Sequence, residues 1–333
     1  MTAYTGIQGQ NILIVSSDPA NPTEGQIWYN STSNLLKGYQ FANVNAWASG
    51  GNMGTGRRQV RGTGTQTAAL GFGGISSPGP GPSLANTEKY DGTSWTTTGS
   101  LNTARNGMGG AGTQTASLGY GGFIVAAPVT YQVITESFNG STWTSLPANM
   151  STARYLMGSA GTQTSALGFG GDAPPTSTAT EEYDGTSWTS GGNLNTARFA
   201  LTGFGTQTAA IGAGGYGGGT LNSVESYNGT SWTNVNTLGT ARYSAGSAGI
   251  QTAGLVFGGS IYPPTVKQTL TELWDGTSWT SNPTGLGTAR YNMGGAGTQT
   301  AGLAFGGGAA TAPTSATEEW TGQAVVTRTI TTS

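Results

Sequence analysis

The 333-residue chain contains no cysteine and no histidine. Those two absences exclude thiol nucleophiles, disulfides, imidazole acid–base catalysis and the usual zinc and copper ligand sets. Stability is therefore independent of redox conditions, although the compartment is not fixed by this. Charge is scarce as well: 12 Lys and Arg against 14 Asp and Glu, 8% of the residues, for a net charge of −2. Nucleic-acid binding needs a basic footprint that is missing here. The surface must be solubilised mainly by Thr, Ser, Asn and Gln. No apolar run approaches the roughly 20 residues of a membrane-spanning helix. The opening residues have no basic region, and their apolar run ends after Ile12–Val15. The expectation is a chain made in soluble form, without a secretion signal or membrane insertion.

What the chain has in excess is glycine, 59 residues. Neither collagen nor disorder fits, because there is no Gly-x-y period and aromatics are not short. The glycines mark a repeat instead. The stretch TARNGMGGAGTQTASLGYGG (103–122) has relatives ending at Gly74, Gly171, Gly215, Gly259 and Gly307. The intervals between closing glycines are 48, 49, 44, 44 and 48 residues, a period that marks an array or a propeller.

Each copy reads as a β-hairpin. A Gly/Ala-rich arm (MGGAG, 108–112) and a small/apolar arm (ASLGYGG, 116–122) flank a Gly-Thr-Gln-Thr turn. A glycine-rich strand marks a close approach of another backbone, as at the centre of a propeller. A variable segment follows, and then a second hairpin: TEKYDGTSWTTTG in the first unit, TESFNGSTWTS, TEEYDGTSWTS, VESYNGTSWTN and TELWDGTSWTS later. Asp-Gly or Asn-Gly between aromatic-bearing runs is a strong hairpin signal. Each unit thus supplies four antiparallel strands, A to D, which make one blade.

Strands A and B occur six times, beginning near Arg57, Arg105, Arg154, Arg198, Arg242 and Arg290. The tail after Trp320 offers one further strand, about 324–331, enough to complete the sixth blade and too little for a seventh. The expected fold is all-β: a six-bladed propeller of four-stranded antiparallel blades (51–333), preceded by a small β-meander (1–50). That meander is read as strands at 26–30, 35–41 and 45–48, after a first strand at 11–16. Its last two strands imitate C and D, with Tyr39 and Trp47 at the aromatic positions. Ring closure is open between the tail alone and a clasp by the Trp47 strand.

The opening arginines of strand A, the closing Gly-Gly of strand B, Glu-x-Tyr in strand C and Trp in strand D resemble the kelch repeat, over about residues 57–320. The high Thr/Gly content and the GTQT turn depart from its usual pattern. Copper oxidases built on kelch-type propellers need His and Cys, so that activity is not implied. Pro22, Gly25-Gln26-Ile27-Trp28-Tyr29-Asn30, Leu36-Lys37 and the Trp47 segment resemble a short module of bacteriophage tail-fibre and appendage proteins, especially marine and cyanobacterial ones. The TAR and GTQT array resembles such proteins too.

In a blade, the A–B and C–D turns share one face, and the B–C and D–A connections the other. The first face is uniform. The second varies from blade to blade, and function usually sits in loops held by a rigid scaffold. Its aromatics Phe123, Tyr131, Tyr216 and Tyr262 could stack on sugar rings, or could fold over the blade edge as packing. Tyr155, Phe199, Tyr243 and Tyr291 follow the TAR arginines, where Asn106 and Arg58 stand in the other two copies. They could rim the channel mouth as a ligand platform, or fill space between blades.

The six arginines could form a ring for an acidic polysaccharide. However, Glu88, Glu136, Glu181, Glu225, Glu272 and Glu318 start strand C in matched number, and pairing makes both series architectural. Trp95, Trp143, Trp188, Trp232 and Trp279 suit blade-to-blade core. The remaining carboxylates are Asp18, Glu24, Asp172, Glu182 and Glu319, besides the turn aspartates. Glu181-Glu182 and Glu318-Glu319 point to opposite sheet faces, so the carboxylate pair of a glycosidase is not in place. No enzyme activity, cofactor or metal is expected.

The expectation for function is a virion-surface appendage protein. Residues 1–50 would contact other virion proteins and could serve homo-oligomer assembly. The loop face would recognise a host-surface glycan or receptor. The alternatives are a decorative virion protein without a ligand and a cellular kelch-type interaction scaffold.

Overall fold

In a computed structural model the chain is described over residues 12–19, 26–42, 45–79, 81–125 and 130–329. It divides into two units, 46–321 and a smaller one made of 1–45 with 322–333.

The larger unit consists of six four-stranded antiparallel sheets. Blade 2 shows the pattern: Gly109–Gly112 (A), Ser117–Tyr120 (B), Thr135–Phe138 (C) and Trp143–Ser145 (D), paired in that order. The register sets Gly109 opposite Tyr120, Gly119 opposite Glu136 and Phe138 opposite Trp143. The same unit recurs at 61–98 (blade 1), 158–190 (blade 3), 202–235 (blade 4) and 246–282 (blade 5). In the A–B turn Gly112 lies at φ +118°, and a Cβ there would sit 2.1 Å from the Ala116 carbonyl oxygen. Only glycine fits. The C–D turn is held by its aspartate: Asp91 Oδ1 accepts the N–H groups of Thr93 and Ser94, both at 2.8 Å.

Blade 6 closes the ring with borrowed chain. Gly294–Gly297, Ala301–Phe305 and Thr317–Thr321 are its A, B and C strands, and its D strand is Ala46–Ser49, with Trp47 opposite Trp320. The tail strand Ala324–Thr329 pairs instead with Leu35–Ala42. The boundary expected at residue 50, with the whole tail in the propeller, is therefore corrected to 45/46 and 321/322. The expected meander is corrected too, because its third strand leaves it for blade 6. The physical reason is the tryptophan: Trp47 fills the D-strand slot at the seam, which the tail, with Val325 at that place, lacks the ring to fill.

The smaller unit is a four-stranded sheet. Leu13–Val15 runs parallel to Ile27–Asn30, which pairs antiparallel with Leu35–Ala42, and this in turn with Ala324–Thr329. Asp18 ties it together by accepting from Trp28 Nε1 (3.1 Å), Asn30 Nδ2 (2.7 Å) and Lys37 Nζ (2.7 Å). These three bonds hold its pKa at about 2, the Lys37 bond counting most.

The propeller core lies in the seams between blades. Trp143 of blade 2 packs on Phe72 of blade 1 at 4.9 Å between ring centroids, and its Nε1 donates to Thr87 Oγ1 at 2.9 Å. Trp95, Trp188, Trp232 and Trp47 make the equivalent bond to Thr317, Thr135, Thr180 and Thr271 of the preceding blade. Trp279 departs from the rule. Blade 4 has Val224 where the others have that threonine, so Trp279 Nε1 donates to the Asn236 carbonyl instead.

Candidate ligand-binding face and channel

Each TAR arginine enters strand A fully buried and meets the glutamate that starts strand C. The Nη2–Oε1 distances are 2.9 Å (Arg57–Glu88), 2.8 Å (Arg105–Glu136), 2.8 Å (Arg154–Glu181), 3.0 Å (Arg198–Glu225) and 2.7 Å (Arg290–Glu318). Arg242 and Glu272 pair in the same way. The second carboxylate oxygen accepts the N–H three residues before the arginine, as from Asn102 to Glu136 and Asn195 to Glu225, both at 2.7 Å. Burial lowers all six guanidinium pKa values, and the glutamate pulls them back up. These twelve charges neutralise one another inside the wall. They present no positive ring to a ligand.

The eight aromatics singled out from the sequence lie on the face of the B–C loops, all half-buried except the exposed Tyr262. The structure brings them into two clusters. In the first, Phe123 stacks on Tyr155 at 5.0 Å, and Tyr131 stands edge-on to both, at 5.3 and 5.5 Å. The Tyr131 hydroxyl donates to Asp172 Oδ2 at 3.2 Å. In the second, Tyr216 contacts Phe199 (5.5 Å), Tyr243 (6.1 Å) and Tyr262 (6.0 Å), and Tyr243 reaches Tyr291 (6.4 Å). Lys267 Nζ lies 5.4 Å from the Tyr291 ring centroid, a cation–π distance.

Two short hairpins support the clusters, Phe123–Ile124 with Thr130–Tyr131 and Ser260–Ile261 with Val266–Lys267. The residue after the arginine also bridges to the residue after Gly-Gly, as in Phe199 with Tyr216. Each platform ring is thus anchored at its backbone. Where the aromatic is replaced, polar groups stand. Arg58 donates to the carbonyls of Ser77 and Gly79, both at 3.2 Å, and Asn106 Nδ2 donates to Ser83 Oγ and the Phe123 carbonyl. A cleft of about 410 Å³ is lined by Arg58, Gln59, Asn106, Phe123 and Tyr155.

Beneath this rim the six blades join in a feature that the sequence reading missed. Gln59, Gly107, Leu156, Ala200, Ser244 and Asn292 all have φ between 52° and 57°. The N–H of each donates to the carbonyl of its counterpart in the preceding blade at 2.6–3.1 Å, and Gln59 closes the cycle on Asn292. This closed ring of six amides frames the channel. It is made by backbone alone, so the six positions share no residue type.

The GTQT glutamines, which the sequence places only in a turn, join the blades as well. Gln114 Nε2 donates to the carbonyls of Ala69 (3.1 Å) and Tyr90 (2.6 Å) in the preceding blade. Gln66, Gln163, Gln207, Gln251 and Gln299 make the corresponding bonds at their own seams. The signal was available: an invariant amide in a turn where any polar residue would serve.

No family model matches the chain, and no curated protein does. Its likeness is to solved structures. The structure titled "Structure of YjhT" superposes with a TM-score of 0.67 at 12% sequence identity, over 83% of this chain and 99% of that one. At that identity the likeness concerns the fold: an all-β, kelch-like propeller of four-stranded blades. It also overturns the expectation that the chain is not an enzyme. A fold shared in this way hosts many chemistries, so the architecture and the missing His and Cys do not exclude catalysis. Among the described residues there is no group of three or more Asp and Glu that could hold a metal ion.

Proposed function

We propose that the chain is a surface-attachment protein of the bacteriophage-appendage kind, whose loop face recognises a host-surface glycan. The observation that carries this reading is the stacked pair Phe123–Tyr155 beside the 410 Å³ cleft. Sugar rings present apolar C–H faces that stack on aromatic faces, while a few polar groups fix their orientation. Arg58, Gln59 and Asn106 are placed for that second task. The appendage assignment rests on the resemblance of the Gly25–Asn30 segment and the TAR/GTQT array to such proteins. In that setting residues 1–45 join other virion proteins, and the particle surface is where the protein acts.

The test is binding of the full chain to a broad glycan panel, repeated with Tyr155→Ala and Phe123→Ala. The expected result is saturable binding to a defined glycan class, weakened tenfold or more in each variant, as for a residue at the energetic centre of an interface. Binding unchanged in both variants would move the site elsewhere. No binding to any glycan would leave a decorative role as the better reading.

A further inference from the structure

Arg61 breaks the repeat. It stands opposite Phe72 in strand A, at the position held in the other blades by Gly109, Gly158, Thr202, Gly246 and Gly294. At this level the six A strands line the central channel with glycine and one threonine, and a single long cationic side chain projects among them. Its stem lies over Gly110, where an added Cβ would sit 2.7 Å from Arg61 Cγ and 3.4 Å from Nε.

The channel around it is layered. Toward the loop face come Val60, Met108, Met157, Leu201, Ala245 and Met293, and then the closed amide ring. Toward the turn face come Gly62, Gly110, Ser159, Gly203, Ser247 and Gly295, followed by small residues, Phe204 and six glycines. Three cavities, of 60, 110 and 30 Å³, are all lined by Arg61. No acidic residue lines any of them.

The six fully buried arginines of the propeller have a carboxylate at 3.0 Å or less, whereas Arg61 is half-buried and has none. Arg61 has one hydrogen bond among the described residues, a long one from Nη2 to the Gly110 carbonyl at 3.4 Å. Its Nε is buried without a partner, as are those of the six paired arginines. The carbonyl it reaches is already shared, because Ser159 Oγ donates to it at 3.1 Å. Burial lowers the Arg61 pKa, and the neighbouring Tyr120 phenol, not a carboxylate, opposes it. Arginine nevertheless stays protonated in proteins, so the channel carries an uncompensated positive charge. A half-buried cation without a counter-charge favours an anion beside it, and a diffusible ion of the right size can take that place.

We propose that the central channel is a binding site for one small inorganic anion, held by the Arg61 guanidinium. The size limit follows from the cavities. A water molecule takes about 30 Å³ of liquid volume, so the three spaces admit a halide or a small oxyanion and exclude a saccharide. Neighbouring hydroxyls add little to the binding, because they are mutually occupied. Thr202 Oγ1 donates to Ser247 Oγ at 2.6 Å, and Ser247 Oγ donates to the Gly203 carbonyl at 3.0 Å. The guanidinium therefore supplies the affinity, and the site is independent of the loop face.

The probe is bromide, which reports both thermodynamically and crystallographically. Thermal unfolding of the full chain is followed in sodium bromide, with sodium gluconate, whose anion is too large for these spaces, keeping the ionic strength constant. The wild-type Tm is expected to rise by roughly 2–4 °C for each tenfold increase above the dissociation constant. Arg61→Gly restores the residue of four other blades and is expected to fold with no such rise. Equal bromide responses in the two proteins would overturn the proposal. Crystals grown in bromide should show one anomalous peak in contact with the guanidinium, and a channel holding water alone would overturn it as well. Should Arg61→Gly fail to fold, Arg61→Gln serves as the second uncharged variant in the same titration.

Discussion

The carboxylate of Glu225 meets the guanidinium of Arg198 at 3.0 Å, with both side chains wholly withdrawn from solvent. Its other oxygen takes two further bonds from Asn195, the backbone N–H at 2.7 Å and Nδ2 at 2.8 Å. One glutamate thus joins the start of strand C, the entrance of strand A and the connection leading into it. Glu225→Gln keeps the shape and leaves Arg198 without a counter-charge. Breaking a buried pair costs about 3–5 kcal/mol, so the urea midpoint should fall accordingly. An unchanged midpoint would mean that the wall tolerates a lone buried guanidinium.

The seam glutamines should matter more than their exposed turn suggests. Gln207 Nε2 donates to the carbonyls of Ala166 at 3.1 Å and Tyr183 at 2.7 Å, both in the neighbouring blade. Gln207→Ala strands those acceptors at the seam, a loss of about 1–3 kcal/mol. Thr206→Ala, one residue away and exposed, should stay within about 0.5 kcal/mol. Equal effects in a side-by-side denaturant titration would remove the seam role from glutamine.

The period, the four-strand unit and the blade number were legible because Gly-Gly, Asp-Gly and Trp recur at fixed offsets, each with a local physical cause. The partner of Trp47 was not. Its strand resembles any D strand, and only the empty place beside Trp320 selects it over the tail. The candidate aromatics could be placed on one face from the antiparallel strand order, but their division into two clusters depends on the pairing of Phe123–Ile124 with Thr130–Tyr131 and of Ser260–Ile261 with Val266–Lys267, which residue types alone do not fix. The amide ring was invisible in principle, since it is written in φ angles. Arg61 was visible in the sequence as RRQVR, yet only the register opposite Phe72 aims it into the channel.

Blade 4 permits a test of compensation. In blades 2, 3, 5 and 6 strand B ends in an aromatic ring lying on a glycine of strand A: at Gly158 an added Cβ would meet Phe169 at 2.2 Å. In blade 4 strand B ends in Ala213, which faces Thr202, and the ring has moved to Phe204 on strand A. Phe204 then reaches Trp279 edge-on at 6.5 Å, replacing the usual strand-B aromatic. Phe204→Ala alone should cost about 3–5 kcal/mol, and Ala213→Phe alone should clash with Thr202. The triple variant Thr202→Gly, Phe204→Ala, Ala213→Phe restores the common pattern and should recover most of the loss. Strictly additive losses in denaturant titrations would show that the three positions are uncoupled.

The propeller should be insensitive to pH around neutrality and fail at the alkaline end. With no histidine or cysteine, no side chain has an ordinary pKa between about 5 and 9. The Tyr227 hydroxyl donates to Glu182 Oε1 at 2.5 Å, and that of Tyr90 to Glu319 Oε1 at 2.5 Å, each across a blade seam. Burial first, and the carboxylate second, push both phenols up to about 12. An ordinary tyrosine titrates near 10. The folded state therefore favours the neutral phenol. The stabilisation is complete below about pH 10 and disappears as the pH rises from 10 through 12. A urea midpoint followed from pH 7 upward should stay level to about pH 9 and then decline. Tyr227→Phe should begin from a lower midpoint, having lost its bond to Glu182, and decline less steeply. A wild-type midpoint that holds level to pH 12 would show that these seams open without regard to the charge on Tyr90 and Tyr227.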